Sequence, residues 1–377
     1  MMTKQKIESR LVQLGNRSDK KTGAVSTPIY LTTAYEHQGL GESTGYDYSR
    51  TKNPTREILE KGIADLENGY AGFACSSGMA AIQLVLSLFK SGDSLLFSAD
   101  VYGGTYRLLK QYEEKYNIKA CYSDFATVTA VEALITESTK AIFIETPTNP
   151  LMETIDIPTY AELAKKHDLL LIVDNTFLTP YLQQPLELGA DIVIHSATKY
   201  IGGHNDVLAG LVVAKDEDIS ELLATNHNSS GAVLSPADSF LIVRGMKTLG
   251  LRMKRHEENA KKIVEYLNVR DAVENVLYPG VGGMLSFRLQ DEALINPFLQ
   301  NLQLITFAES LGGVESFITY PTTQTHADIP LDERESRGVD DRLLRFSVGI
   351  EHIDDLILDL DTVFEKIQTA TVFGLNK

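Results

Sequence analysis

The sequence predicts an α/β protein: a mostly parallel sheet covered by helices, followed by a smaller α+β unit. Three observations carry that prediction. Apolar runs of strand length recur at Leu95-Leu96-Phe97, Ala141 to Ile144, Leu169 to Val173, Ile192 to Ile194 and Leu208 to Val213, with helical segments between several of them. Consecutive apolar positions in a βαβ rhythm belong to strands buried on both faces. After Ser235-Pro236 the pattern changes to a long helix and then to half-buried strands. With 377 residues the chain also exceeds the roughly 250–300 at which single cores stop growing, so two lobes are expected.

Taken in order, residues 1–54 are rich in Thr, Ser, Gly and Tyr, poor in apolar periods, and read as an extended arm that packs on something else. Thr55 to Glu67 is amphipathic and closes at Asn68-Gly69, a helix stop. Met79 to Lys90 is apolar nearly all round, hence a buried helix. The sheet runs then follow to about residue 243 and complete a large domain, 55–243. The domain 244–377 opens within a helix expected to run on through about Leu267, with Leu249, Met253, Ala260, Ile263 and Leu267 on its apolar face. Two half-buried strands are predicted beyond it: Met284 to Leu289, with Leu285, Phe287 and Leu289 on one face, and Leu344 to Val348, with Leu344, Phe346 and Val348 together.

Composition narrows the function classes. The formal net charge is −16, and no Lys/Arg run is dense enough to track phosphates, so nucleic acid is not an expected partner. Cys75 and Cys121 form neither a CxxC motif nor a disulfide framework, which suits a reducing compartment. The amino terminus lacks an apolar segment of signal-peptide length, and no stretch is long enough to span a membrane, so a cytoplasmic protein is expected. The eight histidines show no HExxH, and neither GxxxxGK[ST] nor GxGxxG occurs, which disfavours metal and nucleotide chemistry.

Polar residues cluster after strand ends, where ligands bind in parallel sheets. Lys199, in Ser196-Ala197-Thr198-Lys199, sits where the run Ile192 to Ile194 ends and the chain turns toward Gly202-Gly203. Held against apolar walls, such a lysine can act as a neutral amine; in a solvated loop it does nothing. Ser76-Ser77-Gly78-Met79 precedes the buried helix, whose free amides can hold a phosphate, or Ser77 simply caps it. Tyr102, on the turn before Gly103-Gly104, offers a ring for stacking. Asp174 ends the run Leu169 to Val173 and either caps a helix or pairs with a cationic group such as a protonated ring nitrogen. The 25 residues between Asp174 and Lys199 allow one crossover, so the two can occupy neighbouring strand ends. A phosphate cradle, a stacking aromatic, a carboxylate and a lysine together describe a site for pyridoxal 5′-phosphate (PLP), whose aldehyde takes a lysine and whose ring nitrogen takes an Asp.

The segment Asp191 to Asn205, which includes His195-Ser196-Ala197-Thr198-Lys199-Tyr200-Ile201-Gly202-Gly203-His204, resembles the lysine signature of the Cys/Met-metabolism, or trans-sulfuration, PLP enzymes. The likeness covers nearly the whole chain. It implies PLP-dependent transferase fold type I, with a seven-stranded type of sheet in the large domain. It further implies that Lys199 carries the cofactor and shuttles protons, that Asp174 pairs with the ring nitrogen and that Tyr102 stacks on the ring. Gly78, Met79, Ser196 and Thr198 would hold the phosphate, with Asn149 and Thr176 near the ring oxygen and Asp174. Tyr48 and Arg50 match a segment that in the family reaches the phosphate of the neighbouring subunit. The resemblance therefore implies a homodimer at least, and by family habit a homotetramer. Arg345 matches the arginine that clamps the substrate α-carboxylate; without the resemblance it is equally a structural ion-pair partner. Arg107, Tyr46 and Ser316 join it as implied substrate contacts.

Gly312-Gly313-Val314-Glu315-Ser316-Phe317 resembles the γ-specific members, in which a glutamate reads a distal amino group, a role that falls to Glu315. Gln324-Thr325-His326-Ala327-Asp328 departs from a family form with Met first and Ser last. The reaction implied is γ-replacement on an O-acylhomoserine, with cysteine giving cystathionine and sulfide giving homocysteine, as in methionine biosynthesis. A cystathionine γ-lyase or β-lyase would use the same cofactor residues. Two readings of other classes are a PLP-binding regulator and an SxxK acyl-serine enzyme built on Ser196 and Lys199. Against the latter, Lys21-Thr22-Gly23 precedes the SxxK segment and no Ser-Asp-Asn occurs.

Overall fold

The structure is a computed structural model that describes residues 5–327 and 329–374. Helix Pro54–Glu67 shows how local signals are realised: extended Asn53 accepts the Thr55 and Arg56 amides, Pro54 opens the helix, and Asn68 ends it in the left-handed region at φ 59°. Its apolar stripe, Leu59, Ile63 and Leu66, is buried. Before it the described residues form one short helix, Ile7–Val12, and a single bridge between Ala34 and Tyr48. The rest of the described segment before Pro54 is irregular.

A seven-stranded sheet follows, built from β1 (Ala71–Cys75), β2 (Ser94–Ser98), β3 (Lys119–Ser123), β4 (Thr139–Glu145), β5 (Leu170–Asp174), β6 (Ile192–Ser196) and β7 (Gly210–Ala214). The spatial order is β1-β7-β6-β5-β4-β2-β3. β2 runs parallel to β4 and β5 parallel to β6, while β7 is antiparallel to both β6 and β1. Every residue of β2 and β7 is buried, so helices cover both faces of these strands. All five apolar runs feed strands of this sheet, although Leu169 lies before β5 and Leu208 and Ala209 lie before β7. The sequence pattern passed over β3, because Lys119 to Ser123 is an edge strand of exposed and half-buried residues.

The second sheet has the order β10-β11-β12-β9-β8 and comprises β8 (Val273–Leu277), β9 (Met284–Leu289), β10 (Thr306–Phe307), β11 (Phe317–Thr319) and β12 (Leu343–Ser347). Leu285, Phe287 and Leu289 from β9 share one core with Leu344, Phe346 and Val348, as their alternation predicts. Phe298 seats against Phe287 and Phe364, with ring centroids 5.8 and 5.5 Å away. Burying each such ring contributes about 1.5–3 kcal/mol.

The long helix expected through Leu267 is two helices, Pro236–Met246 and Leu249–Leu267. The Thr248 amide and hydroxyl both turn back to Gly245 O, at 3.2 and 3.1 Å, in place of an ordinary i−4 bond. Gly245 lies so close to Gly202 O that a Cβ there would stand 2.3 Å from it. The chain forms two compact units. One contains the chain to Phe97, Leu109–Ile144 and Asp156–Gly250; the other contains Ser98–Leu108, Glu145–Ile155 and the chain from Leu251 onward.

Candidate active site

In the first unit, parallel β5 and β6 carry Asp174 opposite Ile194 and so bring two chemistry-bearing strand ends side by side. Burial alternates beyond those ends: Asp174, Thr176, Ser196, Thr198 and Lys199 are half-buried, whereas Asn175, His195, Ala197 and Tyr200 are buried. Thr176 joins the strand ends, since its amide and hydroxyl donate to Asp174 Oδ1 at 3.0 and 2.5 Å while its Oγ1 accepts the Ser196 amide at 2.8 Å. Burial pushes the Asp174 carboxyl above the ordinary carboxylate range, against the pull of those Thr176 bonds. A carboxylate under that penalty stays ionised best beside a cation.

Lys199 follows on a turn. Its amide donates to Ser196 O at 3.1 Å, and its carbonyl accepts the amide of Gly203, which lies in the left-handed region at φ 73°. Thr198 exchanges bonds with Ala209, its Oγ1 lying 3.2 Å from Ala209 O and 3.0 Å from Ala209 N. Ser77 caps helix Gly78–Leu86 through the Ala80 amide at 3.1 Å, so the capping reading holds. The Gly78 and Met79 amides still precede the first intrahelical bonds and suit an anion. A Cβ on Gly78 would come within 2.9 Å of Ser196 Oγ; glycine is what lets that hydroxyl stand at the helix start.

The arm residues lie in the same unit. Tyr48 and Arg50 are exposed and touch each other, with the guanidinium 5.6 Å from the ring centroid. Arg56, buried, fixes their loop by donating to Ser49 O at 2.8 Å and Arg50 O at 3.0 Å. Tyr46 donates to Glu57 Oε2 at 2.5 Å.

In the second unit the Tyr102 amide donates to Glu145 Oε2 at 3.1 Å, and burial, followed by the nearby Glu309, keeps its phenol protonated by raising its pKa. Arg345, on β12, is 2 % exposed and directed by three bonds: to Asn149 Oδ1 at 2.9 Å, Ser310 O at 3.0 Å and Thr319 Oγ1 at 3.0 Å. Arg345 and Asn149 therefore form a direct pair. Arg107 and Glu315 are exposed. Ser316 is buried and its hydroxyl is committed, donating to Glu351 Oε2 at 2.9 Å and accepting the Gly349 amide at 2.8 Å. It braces the segment that presents Glu315. Asp328 lies outside the described residues.

Sequence reasoning missed His326. Its Nε2 lies 3.1 Å from Asn149 O and its Nδ1 2.8 Å from Thr325 Oγ1. A carbonyl only accepts, so Nε2 carries the proton and Nδ1 accepts from Thr325. Burial first, then Arg345, drives the ring's pKa down to about 3, so it stays neutral. Thr325 also approaches Gly103 so closely that a Cβ there would meet Thr325 O at 2.2 Å, which ties the Tyr102 turn to this segment.

A profile of the family described as Cys/Met metabolism PLP-dependent enzymes matches residues 8–365. The chain belongs to that family. The chain is 62 % identical to a cystathionine gamma-synthase of Haemophilus influenzae, over 96 % of this chain and 98 % of the relative. It is 60 % identical to a cystathionine gamma-synthase/O-acetylhomoserine (thiol)-lyase of Bacillus subtilis, over 98 % and 99 %. A solved cystathionine gamma synthase of Xanthomonas oryzae pv. oryzae, in complex with aminoacrylate and cysteine, superposes with a TM-score of 0.95 at 39 % identity, covering 97 % of this chain and all of that one.

PLP is the cofactor of this enzyme, and its chemistry fits the residues present. The donor set at Gly78, Met79 and Ser196 suits a phosphate, the desolvated Asp174 suits a ring N–H⁺, and Lys199 on its turn suits an aldehyde. No helix among the described residues is long and apolar enough to cross a membrane.

Proposed function

We propose that this enzyme catalyses γ-replacement on an O-acylhomoserine, with cysteine as acceptor to give cystathionine and sulfide as a second acceptor to give homocysteine. One observation carries the reading: the Asp174–Lys199 strand ends occur in a chain 60–62 % identical, end to end, to two enzymes named as cystathionine gamma-synthases. The reaction breaks the Cγ–O bond, forms a Cγ–S bond and releases the acyl group as its acid with the thiol proton. Its substrates are small amino acids.

Bound PLP supplies an electron sink that makes the substrate Cα and Cβ protons removable. The residues do the rest. Lys199 holds the cofactor and then, as a free amine, takes and returns protons at Cα and Cβ. Asp174, fixed by Thr176, holds the ring nitrogen. Gly78, Met79, Ser196 and Thr198 hold the phosphate. Tyr102 stacks on the ring and serves in proton movement. Arg345, aimed by Asn149, Ser310 and Thr319, clamps the α-carboxylate, with Tyr46 and Arg107 as further substrate contacts. Exposed Glu315, braced by Ser316, reads the amino group of the incoming cysteine.

The same reading gives residues 1–54 to an arm that completes a neighbouring subunit's site through Tyr48 and Arg50, in a homodimer or homotetramer. Exposed Val25, Leu31 and Leu40 on that arm support a partner surface. A cytoplasmic location accords with the free Cys75 and Cys121, Cys75 buried with its thiol pushed up to about 12, and cell fractionation checks it.

Product analysis of the PLP-loaded enzyme given O-acetylhomoserine and cysteine separates the reactions. Cystathionine is expected. Oxobutyrate and ammonia alone would contradict γ-replacement and make the enzyme an eliminating lyase.

A further inference from the structure

Glu67 is a carboxylate in an unfavourable place. It ends helix Pro54–Glu67, where the backbone dipole already presents negative charge, and it is 0 % exposed. Hydration is withheld from it and the helix field works against it, so its partners must hold it. Those partners sit on the two strand ends described above. Oε1 lies 2.7 Å from His195 Nε2 and accepts Asn175 Nδ2 at 3.3 Å. His195 immediately precedes Ser196, and Asn175 immediately follows Asp174.

Asn175 is committed on every side. Its Nδ2 also donates to Gln183 O at 2.9 Å, its Oδ1 accepts Gln183 Nε2 at 3.0 Å, and its amide donates to Ile194 O at 2.9 Å. His195 is 0 % exposed as well, and among the described residues neither His195 Nδ1 nor Glu67 Oε2 has a hydrogen-bond partner. A brace needed only for packing is better made of apolar side chains, because a buried ion pair rarely outweighs its desolvation. A polar network kept at that cost behind Asp174 has another use. Charge on His195 opposes the effect of burial on Asp174.

We propose that Glu67, acting through His195 and Asn175, is a positioning residue for Asp174 that sets how firmly the enzyme keeps the cofactor's ring nitrogen protonated. Glu67 holds the His195 ring and the Asn175 side chain in place behind Asp174, charge on His195 favours ionised Asp174, and ionised Asp174 favours a protonated ring nitrogen. Each charge supports the next. The inference rests on the reading of Asp174 as the ring-nitrogen partner.

The test is the ¹⁵N resonance of PLP labelled at its ring nitrogen, bound to the whole enzyme at neutral pH. Glu67→Gln keeps the shape and removes the charge; its resonance is expected to move toward the unprotonated position, with the cofactor dissociation constant about tenfold higher. Glu67→Asp is expected to restore most of the wild-type signal. Asp174→Asn serves as the reference. If it leaves the resonance unmoved, the Asp174 reading falls and takes this inference with it. If it moves the resonance while folded Glu67→Gln matches wild type, the inference alone is overturned. Should Glu67→Gln fail to fold, the wild-type His195 ring ¹⁵N shifts decide, with a change between apoenzyme and holoenzyme expected and identical shifts overturning the proposal.

Discussion

At the scale of single residues, Arg345 shows how a buried arginine is held in one orientation. A charged side chain at 2 % exposure is costly unless it is hydrogen-bonded, and three acceptors meet its two terminal nitrogens: Asn149 Oδ1, Ser310 O and Thr319 Oγ1. Lysine keeps the charge and loses the fork. Arg345→Lys is expected to lower kcat/KM about 10- to 100-fold, chiefly through KM, while the cofactor's absorbance is unchanged. Steady-state kinetics check this, and an unchanged KM would remove Arg345 from the carboxylate site. The placement of Lys199, Asp174 and Arg345 at or within strands was legible because each follows or interrupts an apolar run, whereas the role proposed for Arg345 came from the family resemblance. Glu67 and His326 were not. Glu67 meets His195 across 128 positions and His326 meets Asn149 across 177, contacts that only tertiary packing creates.

At the scale of elements, capping and close approach decided the outcome. Asn53 starts helix Pro54–Glu67 where its sequence says it should, and such a cap is worth about 1 kcal/mol. The helix break after Met246 was hidden, because the apolar period from Leu249 to Leu267 runs on smoothly and the close approach of Gly245 to Gly202 O beside it is distant in sequence. The two- and three-residue strands β10 and β11 are too short to show any period. The arm gives the element-scale prediction. Arg56 fixes the loop of Tyr48 and Arg50 through Ser49 O and Arg50 O, so truncating Arg50 removes a cation without releasing the loop. Arg50→Ala is expected to weaken PLP binding about tenfold with oligomer size unchanged by light scattering. Wild-type affinity for PLP would contradict the cross-subunit phosphate contact.

At the scale of the whole molecule, the apolar runs made the seven-stranded sheet legible because strands buried on both faces leave unbroken apolar stretches; the C-terminal strands β9 and β12 showed through alternation, but they are buried on both faces and not half-buried as expected, because Ser286, Arg345 and Ser347 on the polar face are buried too. The chemistry followed from the same pattern, since the residues just past those runs are where a parallel sheet presents ligands. Of all the lysines, Lys199 alone is proposed to carry the cofactor. Reduction of the PLP-loaded enzyme with borohydride followed by peptide mapping tests it most directly. A reduced cofactor adduct is expected on Lys199, within Ser196-Ala197-Thr198-Lys199; an adduct on a different lysine, with Lys199 unmodified, would contradict that role.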